Sequence, residues 1–149
     1  MREILFRGQT RRKGEKVRMD GSPVESNWVY GGVLCGSGDH SIIYQTEPDI
    51  EKKVVYTDTL GQFTGLTDKN GTKIFEGDIV EYTTKLSRNT EEIVNVYEIK
   101  YSKEQARFIA FLPNGVFDPV AMRYGKVIGN IYDTPELIAA VEKSENEEE

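Results

Sequence analysis

Gly61-Gln62-Phe63-Thr64-Gly65-Leu66-Thr67-Asp68-Lys69-Asn70-Gly71-Thr72-Lys73-Ile74-Phe75-Glu76-Gly77-Asp78-Ile79-Val80-Glu81-Tyr82 sets the class of the chain: short extended runs broken by tight turns. Asn70-Gly71 tolerates positive φ and closes a hairpin or tight loop. Ile74-Phe75 and Ile79 to Tyr82 are too short for helices and rich in β-branched and aromatic residues, the composition of strands. Three chemical readings compete with this plain one. A calcium loop starting at Asp68 needs glycine at its sixth position and a carboxylate at its twelfth, where Lys73 and Ile79 stand. The pair Gly61 and Gly65 lacks the third glycine or the Lys-Ser/Thr ending of a nucleotide loop. Glu76, Asp78 and Glu81 suggest a carboxylate site, and Glu76 and Asp78 share a face if the segment is extended. Against that stands a simpler role for Glu76-Gly77-Asp78, a bend whose carboxylate bonds backbone amides.

Outward from this segment the pattern repeats. Strands are expected at Ile4 to Phe6, Asn27 to Leu34, Ser41 to Gln45, Lys53 to Thr57, Ile93 to Ile99, Arg107 to Leu112 and Lys126 to Tyr132. Gly31 and Gly32 inside the second suggest a bulge or a close backbone approach. In Ile93 to Ile99 the alternation leaves two choices of buried face, Val94-Val96-Glu98 or Asn95-Tyr97-Ile99. Pro113-Asn114-Gly115 repeats the turn chemistry, and Thr10 to Ser26 and Thr83 to Glu92 read as polar loops. A helix is expected after Asp133-Thr134-Pro135-Glu136, with Asp133 or Thr134 as cap, Pro135 in the first helical position and Leu137, Ile138 and Val141 on one face. A weaker helical turn is expected within Phe117 to Tyr124. Short strands at this spacing predict a barrel or sandwich rather than a parallel βαβ sheet.

The chain has 149 residues, 38% hydrophobic and 30% charged, which suits one domain with its own core. Its single cysteine, Cys35, excludes an internal disulfide and a multi-cysteine zinc site. Cys35 with Asp39 and His40 invites a nucleophile reading, but such sites are defined by geometry. No cofactor and no metal is expected. No apolar run approaches the ~20 residues of a membrane span, and Met1 to Phe6 is too short for a secretory signal. The expected compartment is the cytoplasm, with no membrane partner.

The net charge of −6 hides a gradient. Residues 1–20 carry seven basic and three acidic groups, whereas residues 136–149 carry six acids against Lys143 alone. Arg7, Arg11, Arg12, Lys13 and Arg18 are therefore candidate phosphate contacts for a nucleic acid, with Trp28 and Tyr30 available for stacking. A pI near 5.0 weighs against that reading.

Three blocks resemble the YopX family of phage and prophage proteins. They are Phe6-Arg7-Gly8 with Trp28-Val29-Tyr30-Gly31; Gly61 to Leu66, Asp68 to Gly71 and Ile74 to Val80; and Val127 to Tyr132 with Pro135-Glu136-Leu137. The insert at Thr10 to Ser26 and the acidic tail depart from the family's compact pattern. The residues predict a mainly β single domain over 1–142 with a short C-terminal helix, and a disordered acidic tail at 143–149, where nothing can be buried; the resemblance implies a small SH3-like barrel with additional strands. It implies no reaction and no catalytic residues. The function expected is a phage-encoded, non-catalytic binding or assembly module, its partner a second copy or a phage or host protein. Nucleic-acid binding is the alternative, and an enzyme the less favoured third.

Overall fold

Ser37 faces His40 across the two-residue turn Gly38-Asp39, a hairpin at the centre of the first of two compact units. The computed structural model describes residues 3–11, 28–46, 49–85, 92–112 and 121–138, and its units are Met1–Phe63 and Thr64–Glu149.

The first unit contains β1 (Phe6–Gln9), β2 (Trp28–Ser37), β3 (His40–Gln45), β4 (Glu51–Tyr56), a 3-10 turn at Thr57–Thr59 and the start of β5 (Gly61–Thr67). Its antiparallel order is β4-β3-β2-β1-β5. One face buries Val29, Ile43 and Val55, with Leu60 packed against them. The sheet coils strongly around this core. Two strands separate β1 from β4 in the ladder, yet a Cβ on Gly8 would stand 2.7 Å from Val55 Cγ2. Past β4 the chain comes back to β1, where the Gln9 amide donates to Thr59 Oγ1 at 2.9 Å. A bulge between Val33 and Cys35 adds to the twist of β2.

β5 ends in the second unit, where it pairs with β6 (Lys73–Phe75) and the Thr64 hydroxyl donates to the Ile74 carbonyl at 2.8 Å. There follow β7 (Asp78–Lys85), β8 (Glu92–Ser102), β9 (Arg107–Phe111), α1 (Ala121–Tyr124) and β10 (Lys126–Asn130). The last four strands form an antiparallel sheet in the order β10-β7-β8-β9. Ile74, Val80, Tyr97, Ile99, Ala110, Ala121 and Met122 make its core. The two choices for β8 are thereby settled: Tyr97 and Ile99 face inward. Ile99 has no exposed surface, so Ile99→Ala should cost about 3 kcal/mol by lost burial and cavity formation. Urea unfolding measures it, and a loss below ~1 kcal/mol would place Ile99 outside the core.

The fold is mainly β, as expected, without support for the expected SH3-like barrel. Among the described residues the strands form two sheets, and no ladder closes either into a barrel. Gly61 to Leu66 is strand, because β1 and β6 offer it ladder partners. Thr83 to Lys85 is also strand, because these residues pair with Val94, Ile93 and Glu92. β10 stops at Asn130, where a turn begins. The expected turn within Phe117 to Tyr124 is α1, and helix begins at residues 136–138 after Pro135. Thr134 does not cap that helix with its side chain, which bonds Asn130 instead. The turn at Pro113-Asn114-Gly115, most of Thr10 to Ser26, and the tail lie outside the described residues. No helix among the described residues is long and apolar enough to cross a membrane.

Candidate functional site

Residues opposite one another in an antiparallel ladder share a face, as do residues two apart along a strand. Applied to the first unit, this places Arg7 and Gln9 of β1, Trp28, Tyr30 and Gly32 of β2, His40, Ile42 and Tyr44 of β3, and Lys52, Val54 and Tyr56 of β4 on one face, away from the Val29-Ile43-Val55 core. Gly32, Tyr44 and Lys52 form a row across three strands. The β1 end is covered: Arg7 is 6% and Gln9 1% exposed. Over β2 to β4 the face is open, with Tyr30 44% and Val54 57% exposed. Gly32, His40 and Lys52 are exposed as well, and Ile42, Tyr44 and Tyr56 half-buried. The His40 and Tyr56 rings lie 5.0 Å apart. Among the described strand residues of this face there is no carboxylate, and the charged ones are Arg7 and Lys52. Glu51 lies on the opposite face, 3.5 Å from Lys53.

Of the basic residues singled out from sequence, Arg7 sits with its guanidinium 4.5 Å above the Trp28 ring, and Arg11 is half-buried. Arg12, Lys13 and Arg18 lie outside the described residues. The structure therefore brings Arg7 together with Trp28. Tyr44, Lys52, Val54 and Tyr56 were missed. Their signal was the alternation of β3 and β4, hidden because Ile42-Ile43 and Val54-Val55 put apolar residues on both faces. The carboxylates Glu76, Asp78 and Glu81 do not converge: Glu76 is in a turn, Asp78 is buried, and Glu81 sits in the ladder opposite Val96 and Lys126. Among the described residues no group of three or more His, Cys, Asp or Glu could hold a metal ion.

The family model described as YopX protein matches residues 7–139. The chain belongs to the YopX family. A search of curated proteins finds no match. Among solved structures the chain is similar to protein EF1440 from Enterococcus faecalis, with 26% identity, 91% of this chain and 98% of that one covered, and a TM-score of 0.49.

In this YopX-family chain the motif residues of the second unit are ties between backbone segments. The Asp68 carboxylate accepts from Asn70 N at 2.8 Å, Thr72 N at 2.9 Å and, across the fold, Val127 N at 2.9 Å. Asp78 accepts from the Phe75 amide at 2.7 Å, so the bend is built as the carboxylate-to-amide reading expected. Gly77, at φ +92°, donates to Ile99 O and accepts from Ile131 N, both at 2.9 Å. A Cβ there would meet the Tyr132 ring at 3.0 Å. Asn130 Oδ1 accepts from Tyr132 N and Asp133 N, while its backbone N–H donates to Thr134 Oγ1. Asp68, Gly77, Asp78 and Asn130 thus hold the second unit in shape.

Proposed function

We propose that this YopX-family chain is a phage- or prophage-encoded, non-catalytic binding or assembly module acting in the cytoplasm, and that its contact surface is the open face of β2, β3 and β4. One observation carries the reading: that face exposes Tyr30 and Val54 beside Gly32 and half-buried Ile42 and Tyr44, apolar area that the first unit's own core does not use. The use of Asp68 and Asp78 as backbone acceptors supports the non-catalytic part, since both carboxylates are already committed.

The test is a comparison of the full chain with its Tyr30→Ala/Val54→Glu variant, both substitutions being at exposed positions that leave the core intact. Light scattering over a range of concentrations reads self-association, and filter retention reads nucleic acid. The proposal expects at least one kind of complex with the parent chain and its loss in the variant. A parent chain that stays monomeric and retains nothing, or a variant that behaves identically, overturns it.

A further inference from the structure

Resting on the binding-module reading, we infer that the open face of β2, β3 and β4 takes single-stranded nucleic acid, with Tyr30 and Tyr44 as stacking platforms and Lys52 as the phosphate contact. Three features converge. The first is aromatic: Tyr30 and Tyr44 are diagonal neighbours, since Tyr44 stands opposite Gly32, two residues along from Tyr30. Unstacked bases bind by laying their π-faces on such rings, which is how sheet-based modules read single strands.

The second is charge. The chain carries a net −6, yet the strand residues of this face include Arg7 and Lys52 and no acid. Lys52 is exposed directly opposite Tyr44, so a base on the ring brings its phosphate within reach of the ammonium group. A polyanion is thus received on the face whose described strand residues carry none of the chain's negative charge.

The third is shape. A Cβ built on Gly32 meets nothing within 4 Å, so the floor between the two tyrosines is open. A duplex does not fit this chemistry. Its bases are stacked out of reach of the rings, and a pI near 5.0 gives no broad basic footprint for its phosphates. The site also differs from a basic arm: it rests on the sheet, with Arg7 held over Trp28 as part of the wall.

Gly32 supplies the decisive variant. Gly32→Glu meets open space, so the fold is retained, and it sets a carboxylate between the platforms. Fluorescence anisotropy with labelled 15-nucleotide oligo-dT and oligo-U, and with a duplex of equal length, reads binding at low salt. Circular dichroism and thermal melting confirm that each variant is folded. The expected results are preference for the single strands, at least tenfold weaker binding by Gly32→Glu, and about tenfold weaker binding by Tyr30→Ala and Tyr44→Ala, the scale of one lost stacking contact. The salt dependence should be shallow, with a log–log slope of about −1 for one or two phosphate contacts. A slope near −3 or steeper, unchanged in Gly32→Glu, would assign binding to the basic N-terminal segment and overturn the site. So would equal affinity for the duplex, or no binding of either oligonucleotide at ~100 μM protein. If nucleic acid fails while Gly32→Glu converts a self-associated parent into a monomer, the inference falls and the binding-module reading stands. If neither complex forms, both fall.

Discussion

Asp68→Ala is expected to destabilise the second unit by about 3 kcal/mol, because one truncation leaves three backbone amides without their acceptor. The side chain is 6% exposed and spans 59 residues of sequence to reach Val127. Asp68→Asn keeps a single acceptor oxygen and should lose about half as much. The two effects on the carboxyl group's pKa oppose each other. Burial pushes it up, while the amides of Val127, Thr72 and Asn70 and the charge of Lys69 pull it down, and the net position is below the ordinary value of 3.8. The unfolded chain therefore takes up the proton first. Ionised Asp68 stabilises fully above pH 3.8, and this contribution disappears as pH falls through the lower folded value. Urea midpoints of the parent and Asp68→Asn should differ by a constant amount near neutrality and converge in acid. Equal midpoints at pH 7 would refute the assignment.

Gly31→Ala is expected to cost the first unit about 2–3 kcal/mol, whereas Gly32→Ala beside it should change stability by less than ~0.5 kcal/mol. A methyl on Gly31 would overlap the Tyr44 carbonyl, a backbone group held in the β2–β3 ladder. At Gly32 the same methyl meets nothing within 4 Å. Both are glycines of one strand, adjacent in sequence, so the contrast isolates the close approach from the general effect of replacing a strand glycine. Thermal melts of the two variants provide the measurement, and matching losses would show that strand propensity rather than contact governs both.

Features written in local chemistry were legible in the residues alone. Asn70-Gly71 announced its turn, and Gly71 takes φ +82°. Of the two outcomes weighed for the paired glycines of β2, the close approach is found at Gly31, while the bulge lies just past them at Val33/Cys35. The bend at Glu76-Gly77-Asp78 was likewise readable, since a short acid beside a glycine has few better partners than nearby amides. Features supplied by distant partners were not legible. Gly61 to Leu66 carries two glycines and little β-branched character, yet it is a strand because β1 and β6 flank it, a case of tertiary context overriding propensity. Thr134 looked like a cap, but the turn after β10 brings Asn130 to its hydroxyl first. Arg7 read as a surface cation because nothing local says that Trp28, 21 positions on, pairs beside it and receives its guanidinium. The candidate face was hidden for the same reason: sequence shows which residues are aromatic, and only register shows which of them share a side.

The pairing of Phe6 with Gln62 and Arg7 with Gly61 also constrains the order of events at the ribosome. β2, β3 and β4 follow one another directly, so their hairpins can zip as the nascent chain emerges. β1, synthesised before them all, gains its second neighbour only when β5 has cleared the exit tunnel. At ~5–20 residues per second, several seconds pass between translation of Phe6 and its final contact. During that interval one flank of the earliest strand stands open, shielded only by the sheet growing on its other side.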